Sequence, residues 1–176
     1  MFLAVLLIPF AIPSVFAHSE CAYDLSFGKI CPQNKTSTKW FFDSKLAFCY
    51  PYEFLGCEQG QNSFDTQDHC LESCKPADQF SCGGNTDPDG VCFSPQDKTC
   101  KPGTVCVMGG TIGFCCDKSV QDQWNKEHSP KCLTGNTVQI DMWFGKTALI
   151  GRSCSHNFCP TGSKCIQGKW TAYCCQ

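Results

Sequence analysis

The stretch KWFFDSKLAFCYPYEF, residues 39–54, predicts the central element of the fold. Aromatic residues lie on both sides of a polar DSK segment at positions 43–45. Aromatic-rich segments on either side of such a polar break are typical of two β-strands joined by a tight turn. We therefore expect a β-hairpin here, with Cys49 in its second strand.

Downstream of this hairpin, the sequence DTQDHCLESC at residues 65–74 predicts a short helix. Asp65 or Thr66 is a suitable N-cap, and Asp68 falls in the first turn, where the helix dipole favours a negative charge. Cys70 and Cys74 are four residues apart, so they face the same side of the helix. Both can therefore bond back to the rest of the module.

Six cysteines surround these two elements with gaps of 9, 17, 7, 12 and 3 residues. They are Cys21, Cys31, Cys49, Cys57, Cys70 and Cys74. Together with FLGC, QNSF and HCLESC, the last three gaps resemble those of the Kunitz (pancreatic trypsin inhibitor-like) family. The resemblance extends from the first of these cysteines to the last.

The resemblance implies a small disulfide-rich α+β module, made of a twisted β-hairpin and a short C-terminal helix. It also implies the disulfides Cys21–Cys74, Cys31–Cys57 and Cys49–Cys70. The sequence by itself does not choose among the possible pairings of six cysteines. Asn62 and Phe64 match family positions that support the core.

Kunitz-family members inhibit serine proteases with a protruding loop, which a disulfide pins in an extended shape. Such pre-ordering limits the entropy lost on binding. The residue after the second cysteine enters the specificity pocket of the protease, where a cation would meet the carboxylate of a trypsin-type pocket. The resemblance thus implies a reactive loop that includes Ile30, Cys31, Pro32, Gln33, Asn34, Leu55 and Gly56.

Three features of this loop depart from the family pattern. The residue after Cys31 is Pro32, which has neither a long side chain nor an amide hydrogen. The segment from Cys31 to Lys39 is longer than usual, and Leu55 replaces a glycine common in relatives, where a side chain would crowd the loop. We therefore expect poor inhibition of trypsin-type enzymes. Inhibition of a protease that accepts Pro32, or a register shifted to Lys35, stays open.

The same loop contains Asn34-Lys35-Thr36, which is an acceptor sequon for N-glycosylation. We predict a glycan at Asn34, and the alternative is an unused sequon that arose by chance. A glycan at this position would block insertion of the loop apex into a protease cleft.

The remaining cysteines form two further sets of six. They are Cys82, Cys92, Cys100, Cys106, Cys115 and Cys116, and then Cys132, Cys154, Cys159, Cys165, Cys174 and Cys175. Both sets share the pattern CxxGxxC followed by eight residues and CC, which indicates an internal repeat. They resemble lustrin-type cysteine-rich repeats, which implies two small β- and loop-rich extracellular modules. Adjacent cysteines rarely pair with each other, so each should reach a different partner.

These patterns predict a signal peptide at 1–17 and three modules, the first at 18–75, the second at 80–117 and the third at 131–176. The segments 75–81 and 117–131 are predicted to be linkers. The third module carries a long insert that contains Met142, Trp143 and Phe144. This insert is either an exposed apolar binding loop or, as we favour, local packing over the disulfides.

The N-terminus and the cysteine content predict a secreted, extracellular protein. An uncharged apolar segment ends in small residues at Val15 and Ala17, which suit signal peptidase, and the run is too short for a membrane anchor. Eighteen cysteines is an even number, so we expect nine disulfides in an oxidising compartment. A net charge of −2 with no basic cluster argues against nucleic acid as a partner.

No motif in the chain predicts an enzyme, a cofactor or a metal site. HExxH, GxSxG and phosphate-binding glycine loops do not occur in the sequence. His156 near Cys154 would suit zinc, but disulfides explain cysteines better in an oxidising compartment. Asp87 and Asp89 would suit calcium, but a Pro-Asp-Gly turn explains that segment better.

Two hypotheses about function remain from the sequence. The first is a secreted Kunitz-type serine-protease inhibitor that binds a protease cleft through the loop around Cys31-Pro32. The second is a non-inhibitory extracellular matrix or interaction protein that uses the Kunitz scaffold as a binding platform. The target protease is not identified by the sequence.

Overall fold

A computed structural model describes residues 19–75, 80–142 and 145–176. The predicted signal peptide, as well as Trp143 and Phe144, lies outside these residues. All eighteen cysteines form nine disulfides, and every disulfide joins two cysteines of the same predicted set of six. The predicted small disulfide-rich fold is therefore confirmed.

The first module contains the predicted hairpin and helix. Strands β2 (Ser37–Asp43) and β3 (Phe48–Phe54) pair antiparallel in a continuous register from Ser37 opposite Phe54 to Asp43 opposite Phe48. The Asp43 carboxylate accepts the Leu46 N–H at 2.9 Å, which closes the turn between the strands. Helix α1 (Gln67–Cys74) begins after Thr66, whose hydroxyl accepts the His69 N–H at 3.1 Å as the N-cap.

Shorter elements complete this module. They are a 3-10 helix (Ser19–Ala22), β1 (Lys29–Ile30) and β4 (Gly56–Cys57). The disulfides are Cys21–Cys74, Cys31–Cys57 and Cys49–Cys70, the same pairs that the Kunitz resemblance implies. Asn62 is 2% exposed, and its amide bonds to backbone groups of Tyr23 and Phe42. The buried polar side chain is thereby satisfied, as stability requires.

The second and third modules repeat one architecture. The second contains a 3-10 helix (Gly83–Asn85), β5 (Val91–Cys92), β6 (Thr104–Met108) and β7 (Gly113–Asp117). The third contains β8 (Gln139–Met142), β9 (Gly145–Ala148), β10 (Ile150–Gly151), a 3-10 helix (Cys154–His156), β11 (Lys164–Gln167) and β12 (Ala172–Cys175). The three-stranded sheets have the equivalent orders β5-β7-β6 and β10-β12-β11.

The disulfide pairing of these two modules is also the same. In each, the first cysteine bonds the sixth, the second bonds the fourth, and the third bonds the fifth. Each of the adjacent cysteines thus reaches a different partner, as predicted from ring strain. The repeat seen in the sequence is therefore a repeat of structure as well.

The long insert of the third module forms the β8–β9 hairpin, which packs back on its own module. Val138 and Leu149, which flank the hairpin, lie with Phe158 in the core of this module. Met142, at the end of β8, is half-buried.

The second predicted linker is a helix instead. Helix α2 (Lys118–His128) begins after Asp117, whose carboxylate caps it by accepting the Val120 N–H at 3.0 Å. One side chain of this helix, Gln121, is buried and accepts the Gly83 N–H of the second module at 2.9 Å. Helix α2 therefore packs between modules, because its polar sequence contains residues that bond to neighbouring backbone.

Glu127 fixes the C-terminal half of helix α2 to the third module. Its carboxylate is buried and accepts the backbone N–H groups of Lys169, Trp170 and Thr171, each at 2.9 Å. Burial by itself raises the pKa of Glu127, but hydrogen bonds from Gln123 and from this backbone outweigh burial and lower the pKa. The ionised carboxylate is thus the stable form in the folded protein.

The third module and helix α2 also cover the hairpin of the first module. Trp124, Ile150 and Trp170 pack against the cluster that contains the fully buried Tyr50 and Tyr52. At the turn of the hairpin, Asp43 accepts a hydrogen bond from Arg152 Nε at 2.8 Å. Arg152, the single arginine of the chain, also donates through Nη1 to the Trp170 carbonyl at 2.6 Å.

His156 lies in the same interface. Its ring makes edge contacts with Phe27 and Phe41, at centroid distances of 5.7 and 5.3 Å. Its Nδ1 atom is buried and has no hydrogen-bond partner among the described residues. Burial and, secondarily, the charge of Arg152 lower the pKa of His156, while Asp43 opposes them. The neutral imidazole therefore suits this interface.

Among the described residues, we find no helix with the length and apolar character needed to cross a membrane.

Replacing the buried carboxylate by Glu127→Gln should destabilise the fold. The amide presents an NH₂ group to backbone donors, so at least one buried N–H loses its acceptor. We expect a loss of about 2–3 kcal/mol in the free energy of unfolding, measured by chemical denaturation. Lys126→Gln, at an exposed position of the same helix, is the matched control. Equal stabilities of the two variants would contradict the assigned role of Glu127.

Acidification should weaken the interface around His156. A histidine whose pKa is lower in the folded state binds fewer protons there than in the unfolded chain. Its contribution to stability is therefore complete above the unfolded pKa of about 6.5 and is lost as the pH falls below it. We expect His156→Gln to reduce the drop in Tm between pH 7.5 and pH 5, measured by calorimetry. His69→Gln, at an exposed position, is the control variant.

Candidate functional site

The base of the candidate loop is held by backbone pairing and by one disulfide. Strand β1 pairs antiparallel with β4, with Lys29 opposite Cys57 and Ile30 opposite Gly56. A further backbone hydrogen bond outside this register, from the Leu55 N–H to the Phe27 carbonyl at 2.9 Å, also joins the two arms. The Cys31–Cys57 disulfide, with 6.0 Å between its Cα atoms, closes the end of this pair. The loop therefore leaves the scaffold from a fixed position.

Gly28 allows the two arms of this base to approach each other. Its φ is +73°, and a Cβ atom built there would lie 2.3 Å from the Cys57 carbonyl oxygen and 2.5 Å from the Phe54 ring. Only glycine fits such a space at a positive φ. The sequence reasoning missed this residue, because a single glycine before a short strand carries no specific signal.

The apex of the loop is a tight turn. Cys31 and Asn34 form an antiparallel bridge, and Pro32 and Gln33 are the turn residues between them. Proline suits the second position of such a turn because its φ is already near −65°. The extended backbone that the Kunitz resemblance implies is therefore absent at Pro32 and Gln33. The added length of the segment after Cys31 makes room for this turn.

Asn34 fastens the turn to the base of the loop. Its Nδ2 atom donates to the Gly56 carbonyl at 3.1 Å and lies 3.6 Å from the Cys57 sulfur. Its own carbonyl oxygen lies 3.0 Å from the place that a Cβ atom of Gly56 would occupy. These contacts bring Asn34 and Gly56 together, although 22 residues separate them in the sequence.

On the β4 side of the loop base, the backbone angle that needs a glycine is at Gly56 and not at Leu55. Gly56 has a φ of +109°, whereas Leu55 is not among the residues with positive φ. Leu55 is half-buried and causes no unusual backbone angle. The Leu55 side chain therefore does not force its backbone into a strained conformation.

The surface of the loop is open. Lys29, Ile30 and the segment 32–38 are exposed, and Ile30 has 81% of its surface accessible. Lys29 pairs with Glu58 at 2.8 Å, and Lys35 is exposed in the segment after the apex. An exposed isoleucine beside a rigid turn offers apolar contact area without a need for rearrangement.

The metal hypotheses gain no support from the geometry of their residues. Asp89 pairs with Lys101 at 2.8 Å. The sulfurs of Cys92, Cys100 and Cys106 lie within 4.8 Å of one another, but all three are in disulfides. Cys154, next to His156, is bonded to Cys165. Disulfide sulfur is not the thiolate that binds zinc.

Comparison with known proteins agrees with this geometry. Residues 20–75 match the Kunitz/bovine pancreatic trypsin inhibitor domain. A BPTI/Kunitz inhibitor domain-containing protein of Caenorhabditis elegans is 65% identical over 176 residues, which cover 100% of this chain and 99% of that protein. The chain belongs to the Kunitz family. Because this match spans the full length, it includes the second and third modules as well as the Kunitz module.

Two further matches have lower sequence identity. The major allergen Ani s 1 of Anisakis simplex is 31% identical over 169 residues, 90% of this chain and 87% of that protein. Kunitz-type serine protease inhibitor A of Rhipicephalus microplus is 42% identical over 36 residues, 20% of this chain and 30% of that protein. These matches support a Kunitz-type module that is protease inhibitor-like. The resemblance of the other modules to lustrin-type repeats stays a prediction.

Gly28→Ala should loosen the base of the Kunitz loop. An alanine there is strained at positive φ and also meets the Cys57 carbonyl, so we expect a loss of about 3 kcal/mol in unfolding free energy. Gly103→Ala is the matched control, because its φ is +90° with no atom within 4 Å of the added Cβ. It should cost only about 1 kcal/mol. Similar losses, measured by denaturation, would contradict the close-contact explanation.

Proposed function

We propose that this Kunitz protein is secreted and binds a serine-protease cleft through the loop around Cys31-Pro32. The observation that carries this proposal is an exposed loop on a base fixed by the Cys31–Cys57 disulfide and the β1–β4 pair. Proteases are inhibited by loops that lose little freedom on binding, and this base restricts the loop beforehand. Secretion is supported by the disulfide content and by the apolar N-terminal segment.

The position of the loop in the molecule also favours binding. The Asp43–Arg152 ion pair joins the third module to the turn of the hairpin. The loop lies at the other end of the hairpin, where Ser37 pairs with Phe54. Seven-residue strands separate these two ends, which corresponds to roughly 20 Å. His156 of the third module contacts Phe27 beside the base of the loop, but Ile30 and the segment 32–38 are exposed and open to a protease.

The residue types of the loop favour a protease with a small apolar specificity pocket. Pro32 carries no charge to pair with the carboxylate of a trypsin-type pocket. The neighbouring Ile30 is the most exposed large apolar side chain of the first module, at 81%. An elastase-type enzyme, whose pocket takes small apolar groups, is thus the favoured class.

A second candidate function is favoured by the turn at Pro32 and Gln33. A protease binds an extended segment, and the bridge between Cys31 and Asn34 folds this segment back. In this reading the protein is a non-inhibitory extracellular interaction or matrix protein, and the Kunitz module is a rigid platform. The two lustrin-like modules suit such a structural role.

Substitution at the apex distinguishes the two candidates. Pro32→Lys should create inhibition of trypsin-type enzymes, because its ammonium group reaches the pocket carboxylate. We expect the inhibition constant to fall by at least about tenfold, because this is the gain in binding that one hydrogen-bonded charged contact provides. Gln33→Lys is the matched control. It places the same charge one residue after the position that enters the specificity pocket, so it should not lower the inhibition constant.

The measurement is a titration of trypsin-, chymotrypsin- and elastase-type enzymes with each variant. All variants also carry Thr36→Ala, so that no glycan interferes. Absence of any gain by Pro32→Lys, together with no inhibition by the parent across the panel, would sink the inhibitor proposal and favour the interaction platform.

A further inference from the structure

The lengthened loop contains one side chain that has two competing roles. Asn34 Nδ2 is the atom that fastens the turn to Gly56, and it is also the acceptor atom of the Asn34-Lys35-Thr36 sequon. Asn34 is exposed, so a glycan can extend into solvent.

The amide chemistry explains the conflict. An unmodified amide has two N–H groups, and in the folded loop the nitrogen contacts both the Gly56 carbonyl and the Cys57 sulfur. Glycosylation forms a bond between Nδ2 and the anomeric carbon of a lipid-linked oligosaccharide diphosphate. The anomeric carbon–oxygen bond breaks, the lipid diphosphate leaves, and the nitrogen loses one proton. A single N–H then remains.

We infer that Asn34 is a covalent switch of the loop: its free amide holds the turn against Gly56, and a glycan on the same nitrogen displaces the turn. A sugar ring attached at Nδ2 must occupy space beside the nitrogen that now faces the loop base. The remaining N–H satisfies at most one of the two contacts. Because sequons are modified as the chain enters the secretory pathway, the folded contact with Gly56 does not protect Asn34.

The consequence for binding rests on the proposed function, whereas the consequence for loop conformation does not. The closed turn presents Pro32 and Gln33 at its apex. The displaced turn releases the segment after Cys31. It also carries a glycan on Asn34, two residues after Pro32. The two forms of one chain therefore present different surfaces to a protease.

Three proteins secreted from a eukaryotic host separate the two tasks. The wild type carries the glycan, Thr36→Ala removes the sequon but keeps Asn34, and Asn34→Asp removes both the sequon and the amide donor at nearly constant size. Enzymatic deglycosylation that converts Asn34 to aspartate should match Asn34→Asp and not Thr36→Ala. Intact mass verifies the glycan and nine disulfides in each protein.

The measurement is hydrogen exchange of the backbone amides in residues 33–36. We expect slow exchange in Thr36→Ala and exchange on the order of fivefold faster in the other two, the effect of one lost hydrogen bond. Strands β2 and β3 should exchange alike in all three, which controls for a general loss of stability.

Equal exchange in Thr36→Ala and Asn34→Asp would overturn the inference, as would a glycosylated protein that exchanges like Thr36→Ala. A wild type without a glycan would also overturn it. If the expected exchange pattern appears but no form inhibits any protease, the proposed function fails and the switch remains. If inhibition is found without the exchange pattern, the switch fails alone.

Discussion

Covalent closure of the chain is the constraint on which the rest of this structure depends. Nine disulfides span sequence separations from 11 to 53 residues, and each remains within one module. Closing loops of this length stabilises a fold by about 3–4 kcal/mol each in the chain-entropy model. Such cross-links allow small modules to fold with little apolar core. They also fix the arms from which the Kunitz loop projects.

Noncovalent contacts then join the three modules into one packed unit. The Glu127 carboxylate ties helix α2 to the backbone of the third module, and Arg152 ties that module to Asp43 of the Kunitz hairpin. Trp124 and Trp170 fill the space between these two polar contacts. The hairpin is thereby covered near its turn, while the loop at its other end stays exposed. Module packing thus leaves the loop accessible.

The loop combines a base that matches the Kunitz pattern with an apex that departs from it. Gly28, Gly56 and the Cys31–Cys57 disulfide form a rigid base, because their close contacts leave no room for adjustment. The extra residues after Cys31 allow a Pro32–Gln33 turn that Asn34 holds in place. The base therefore agrees with the Kunitz resemblance, while the apex differs from the extended segment that the family implies.

The sequence alone determined the elements whose signals are local. Cysteine spacing predicted three closed modules and the internal repeat. Aromatic segments around a polar break predicted the hairpin, and the N-cap candidates predicted the short helix. Only the tertiary structure decided the contacts between distant residues: Glu127 with the 169–171 backbone, Arg152 with Asp43, and Asn34 with Gly56. The physical reason is that a hydrogen bond or ion pair depends on where two side chains meet in space. A polar segment such as 117–131 looks like a linker until its buried partners are known.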